Sequence, residues 1–205
     1  MKLLVTVAAV ALTLAGPAMA QAGRSGHSTS SPATNVKAFN ELRSYGICLA
    51  RNQRTRALQA IATQPGSDEE KKALNGLVYG EKYSCMFGGT EMTFPTLFAR
   101  GILAEGLLRS GGVPAQYQLT SLEPADKKDL HGVARCYVNG HRAEAEAVLA
   151  TAPASPEELK AIAAAWEDFR TCMPGFNVQL NAPWIRFLMA EALLRLPPAA
   201  PAAGS

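Results

Sequence analysis

Two ten-residue stretches, RGILAEGLLR at 100–109 and RFLMAEALLR at 186–195, carry Arg, Ala-Glu and Leu-Leu-Arg at matching places. Aligning the chain with itself extends the match. At an offset of 88, Leu42 meets Leu130, Cys48 meets Cys136, Arg54 meets Arg142, Thr63 meets Thr151, Pro65 meets Pro153 and Ser67 meets Ser155. Glu69-Glu70 meets Glu157-Glu158 in the same register; Cys85-Met86 meets Cys172-Met173 one residue shorter, and the repeated phrase sits at an offset of 86. Identities that fall in one colinear order on cysteines, turns and caps predict an internal duplication. Each copy is longer than the ~33 to 47 residues of helix-pair solenoid repeats, and two copies favour a compact pair over a long superhelix.

The punctuation inside each copy is helical. In the second, Leu130, Val133 and Tyr137 give a short apolar face that Asn139-Gly140 stops, and a second helix covers 142–150. Ser155, Pro156 and Glu158 form a capping box with Pro at the first helical position, opening a helix to about Cys172. The first copy predicts helices near 37–51, 53–63 and 67–85, with Ser67 and Glu70 repeating the box. A final helix in each copy holds the repeated phrase. In the first, Phe98, Ile102, Leu103 and Leu107 surround the helix on nearly every side, so it should be central to its own copy. Before it, Met92 and Phe94, and Val178 and Leu180, alternate with polar residues, which suggests a minimal two-stranded pairing between copies. The fold class is therefore all-α, two tandem repeats of about four helices, spanning 36–109 and 129–196. Residues 110–128 read as a linker that packs through Tyr117 and Leu119, while 21–35 and 197–205 have no apolar face to bury.

Residues 1–20 read as a secretory signal peptide. Lys2 precedes an apolar run to Gly16, and Ala18-Met19-Ala20 supplies small residues for cleavage before Gln21. The run is shorter than the ~20 residues that span a bilayer, and no later stretch is long enough. The expected location is periplasmic or secreted, with no membrane span after cleavage. Loss of Lys2 lowers the formal charge from +3 to +2, too small to argue for nucleic acid or an anionic surface. The four Cys form no C-x-x-C pair, so structural disulfides are the default in an oxidising compartment. Cys48 and Cys85 close the first and third helices of an up-down-up run, as Cys136 and Cys172 do, which predicts pairing within each copy.

The chemistry candidates are few. There is no H-E-x-x-H, G-x-S-x-G or phosphate-cradling glycine loop, and no cofactor or metal is expected. Of the three His, His27 lies near the start, while His131 and His141 match Arg43 and Gln53; each stands at the edge of a short helix, where a solvated surface role is the expectation. His131 and Cys136 could form a nucleophile pair, but Cys48 matches Cys136 with no His beside it, and a disulfide explains both. Glu105 and Glu191 are sharper, because a carboxylate in an apolar helix can have its pKa raised for acid catalysis. The competing reading is an ion pair at i, i+4 spacing, Glu105 with Arg109 and Glu191 with Arg195. A catalytic acid would not need the same Arg four residues later in both copies, so the structural pair is preferred.

The Cys spacing, the P-x-S-x-E-E turn and the closing R-G-x-L-A-E-x-L-x-R helix resemble a group of small exported, uncharacterised helical proteins of Gram-negative bacteria. Arg100-Gly101, Leu103-Ala104-Glu105, Leu108 and Arg109 carry the likeness; Phe187 replaces the Gly in the second copy. The resemblance implies no activity. Two readings remain: a non-enzymatic binding or structural module of the cell envelope, whose partner is a protein or envelope component, and a small glycan hydrolase using Glu105 or Glu191.

Overall fold

The computed structural model describes residues 32–79, 85, 94–114, 119, 129–173, 175 and 180–196. These residues form eight α-helices and no strand: α1 (Pro32–Asn52), α2 (Arg54–Ala62), α3 (Asp68–Leu74), α4 (Thr96–Arg109), α5 (Leu130–Gly140), α6 (Arg142–Ala150), α7 (Pro156–Thr171) and α8 (Ala182–Arg195). No described helix is long and apolar enough to cross a membrane. The segments expected to pair as strands lie mostly outside the described residues. Phe94 and Leu180 are described, and they pack on the N-terminal and C-terminal cores respectively.

Local chemistry accounts for most helix starts. Ser67 Oγ accepts from Glu70 N–H and Ser155 Oγ from Glu158 N–H, each at 3.1 Å, satisfying one of the free donors at a helix N-terminus. Asp129 caps α5 through His131 and Gly132 N–H, and Asn181 Oδ1 accepts from Trp184 N–H at the head of α8. Two boundaries differ from expectation. α1 begins at Pro32, inside the stretch expected to lack structure, because proline at the first helical position forfeits an N–H that has no helical partner anyway. α3 ends at Leu74 and gives way to a π-helical turn over Asn75–Tyr79 instead of running on to Cys85. Gly76 stands there where α7 has Ala164, at a helical cost of about 1 kcal/mol, and Arg56 donates to the Gly76 carbonyl.

Two disulfides close equivalent loops. Cys48 is joined to Cys85 and Cys136 to Cys172, with Cα–Cα distances of 5.6 and 5.9 Å.

The halves meet through α4 and α8, each with apolar residues on every side. Between Ala99 and Leu107 every residue of α4 is buried, and so is every residue from Ile185 to Leu194 of α8. A helix with no polar face must be covered all round, and here the cover comes from both halves. Phe187, Ala190 and Leu194 of α8 belong to the N-terminal core, whereas Leu188, Met189, Ala192 and Leu193 belong to the C-terminal one. This corrects the expectation that the phrase helix is central to its own copy alone. The joint also explains why Gly101 and Phe187 differ: a Cβ on Gly101 would lie 2.1 Å from the Phe187 Cβ. The glycine leaves a hollow that Phe187 fills, with its ring 5.2 Å from those of Phe39 and Phe98.

Candidate functional site: two cross-paired charge clusters

The first residue of each repeated phrase is an arginine buried in the α4–α8 joint. Arg100 and Arg186 are both 0 % exposed, so each charge must find opposite charge and hydrogen-bond acceptors inside the protein.

Arg100 reaches Glu70 within its own half and Glu191 across the joint. Its Nη1 donates to Glu70 Oε1 at 2.9 Å, and its Nε donates to Glu191 Oε1 at 3.0 Å. Its Nη2 donates to Glu191 Oε1 and to the Ile61 carbonyl, near the end of α2. Arg186 makes the same set. Its Nη1 donates to Glu158 Oε1 at 2.7 Å, its Nε and Nη2 to Glu105 at 3.0 and 2.8 Å, and Nη1 and Nη2 further to Val148 and Leu149 carbonyls near the end of α6. A guanidinium suits this work because its planar fork can hold a carboxylate at two points and still donate elsewhere. The cation also sits where α2 or α6 presents the negative end of its dipole.

The capping-box carboxylates thus have two tasks. Glu70 Oε2 accepts from Gly66 N–H at 2.6 Å and Glu158 Oε2 from Ala154 N–H at 2.5 Å, while the other oxygen of each binds the arginine. This turn has a left-handed backbone residue in both halves, Gly66 with φ +79° and Ala154 with φ +58°.

The phrase carboxylates collect further basic side chains. Glu105 Oε1 accepts from Arg43 Nε at 2.7 Å and Arg109 Nε at 3.1 Å. Glu191 Oε1 accepts from Arg195 Nε at 3.2 Å, and His131 Nδ1 lies 2.9 Å from Glu191 Oε2. His131 therefore stands where Arg43 stands in the other cluster. It is only 11 % exposed, which corrects the expectation of a solvated imidazole; the carboxylate opposite draws it inward. The disulfide to Cys172 leaves Cys136 no thiol for a nucleophile pair. His141 stays at the surface edge, stacked on Tyr137.

The i, i+4 pairs Glu105–Arg109 and Glu191–Arg195 are present, but the fully buried partners are Arg186 and Arg100 of the opposite half. Arg109 and Arg195 also donate across the joint, to the Leu149 and Ile61 carbonyls at 2.8 and 2.5 Å.

Burial by itself would raise the Glu105 carboxyl; hydrogen bonds and charge from Arg186 and then Arg43 outweigh it and hold the group below the usual carboxylate range. Glu191 follows the same balance, with burial overcome by the close His131 contact and the Arg100 guanidinium, and lies far below that range. Burial likewise disfavours charged Arg100 and Arg186, yet their carboxylate partners push both above the ordinary arginine value. Arg195 is lowered, first by burial and then by repulsion from Arg100, which together exceed the attraction of Glu191. Both phrase carboxyls are thus held toward their charged form. Among the described residues, no three His, Cys, Asp or Glu side chains come together to hold a metal ion.

Sequence reasoning located Glu105, Arg109, Glu191 and Arg195 but overlooked Arg100, Arg186, Arg43 and the second task of Glu70 and Glu158. The available signal was an arginine at the same place in two helices that are otherwise apolar. Comparison with protein-family models, curated proteins and solved structures gave no match.

Proposed function

We propose that this chain is an exported, tandemly duplicated helical module of the cell envelope that binds a partner and does not transform it. The observation that carries this reading is the state of Glu105 and Glu191, whose carboxyls are held ionised by several cations each. A general acid needs a pKa near its working pH, and these groups are driven the other way. The matching geometry of the two clusters supports duplication, since Arg100, Glu70 and Glu191 do for one half what Arg186, Glu158 and Glu105 do for the other. Two disulfides suit an oxidising compartment, and with the leader-like residues 1–20 they support export to the periplasm or beyond. The likeness to small exported helical proteins of Gram-negative bacteria agrees with this reading.

The second reading, a glycan hydrolase using Glu105 or Glu191, draws on one feature: Glu105 borders an open groove. Incubation of the purified protein with soluble peptidoglycan fragments separates the two. The binding reading predicts unchanged fragments by mass spectrometry, together with specific capture of an envelope component. Fragment cleavage that disappears in Glu105→Gln would overturn it.

A further inference from the structure

The end of α5 carries a polar group that its packing does not use. Tyr137 is 1 % exposed, yet its hydroxyl meets no hydrogen-bond partner among the described residues. Leaving a buried polar group unpaired costs about 1–3 kcal/mol, and such a group needs a reason to be there. Leu49, its match in α1, is fully buried without that cost, so packing at this place asks only for an apolar side chain.

Three polar side chains from the α5–α6 junction, α6 and α7 stand around it. The His141 ring lies parallel to that of Tyr137, with centroids 4.8 Å apart. His141 Nδ1 is 4.0 Å from Glu144 Oε1 and 3.9 Å from Asp168 Oδ2, beyond hydrogen-bond reach of either. Burial, and after it the charges of Glu144 and Asp168, push the Tyr137 phenol up to about 12, so the hydroxyl lies in the field of both carboxylates. In the N-terminal half Gln53 and Arg56 match His141 and Glu144, and Arg56 donates to the Gly76 carbonyl. Tyr137, His141 and Glu144 are thus peculiar to the C-terminal half.

We propose that Tyr137, Glu144 and Asp168 bind a primary ammonium group, presented as a lysine side chain by a partner protein. An alkylammonium has three N–H donors, and here it finds three acceptors, two carboxylates and a phenol oxygen. His141, with its side chain 35 % exposed, covers Tyr137; it swings outward as the lysine enters, and the apolar lysine stem takes its place on the phenol ring. The Glu144 and Asp168 side chains are 58 % and 57 % exposed, which suits a side chain offered from a protein surface better than a small molecule enclosed on most sides. Charges so exposed hold an ammonium weakly by themselves, and the buried hydroxyl supplies the rest. This deepens the binding reading above and rests on it.

The test uses the full chain, labelled with ¹⁵N and ¹³C and titrated with Nα-acetyl-lysine amide. Nα-acetyl-norleucine amide, whose stem ends in a methyl group, is the control. Saturable shifts are expected at Tyr137, His141, Glu144 and Asp168 with the lysine compound and none with the control. Tyr137→Phe deletes only the hydroxyl and should weaken binding about tenfold, while Glu144→Gln combined with Asp168→Asn should abolish it. The spectrum of each free variant reports whether its fold is intact. No shifts, equal shifts with the control, or a Tyr137→Phe titration like wild type would overturn the proposal. If envelope capture then persists unchanged in the Glu144→Gln, Asp168→Asn variant, the site assignment fails alone; glycan cleavage by the wild-type chain would remove the binding reading as well.

Discussion

Replacing Arg186 by Met keeps much of the side-chain volume and deletes the guanidinium. Five acceptor groups lose a donor at once: Glu105, Glu158 and the Val148, Leu149 and Thr151 carbonyls. Some are partly rescued, since Glu105 keeps Arg43 and Arg109, Glu158 keeps Ala154 N–H, and Leu149 O keeps Arg109. Removing one partner of a buried pair costs about 3–5 kcal/mol, and the surviving donors place this case near the lower end. Against a usual total of about 5–15 kcal/mol, that is a large share of the stability. Arg109→Met removes a cation whose side chain is 37 % exposed, and the expected loss is about 1 kcal/mol or less. Urea unfolding followed by circular dichroism measures both, with the slope checked for constancy. An Arg109→Met variant that loses as much stability as Arg186→Met would refute the claim that cross-pairing, rather than the i, i+4 pair, holds these carboxylates.

Ala154→Gly should stabilise the protein by about 0.5–1 kcal/mol, because it relieves a left-handed alanine at φ +58°, while Gly66→Ala should destabilise it by a similar amount; thermal melts decide both. Opening the Cys48–Cys85 or Cys136–Cys172 bridge by a paired Cys→Ala change should cost roughly 3–4 kcal/mol on the chain-entropy account, read from denaturant midpoints. Glu105 and Glu191 have carboxyl pKa values below their unfolded ones, so their stabilisation is fully present above the unfolded value and is lost as pH falls through the folded values. Stability measured from pH 7 downward should therefore hold to about pH 5 and then decline, and the decline should be shallower in Glu105→Gln.

Helices were legible wherever local chemistry decides them. The Ser155–Glu158 box and the Asn139-Gly140 stop each act over a few residues, and α5 and α7 follow those signals closely. The π-helical turn at Gly76 after α3 was less legible, since Ser67 and Glu70 mark where that helix starts and not where it ends. The partners of Glu105 and Glu191 were hidden for a different reason. Arg109 lies four residues from Glu105 and is found by helix periodicity, whereas Arg186 lies 81 residues away, reachable only once α4 is known to pack on α8. Gly101 facing Phe187 was visible as a difference between the two similar phrases, but its meaning as a hollow and its filler required that same packing.

The most direct measurement is a carboxyl titration of Glu105 and Glu191 by ¹³C NMR in the intact, disulfide-bonded protein. The cross-paired clusters predict that both groups stay ionised well below the usual carboxylate range, until the fold itself is lost in acid. A carboxyl at either position that takes up its proton at or above the ordinary glutamate value, in a protein that is still folded, would contradict the account.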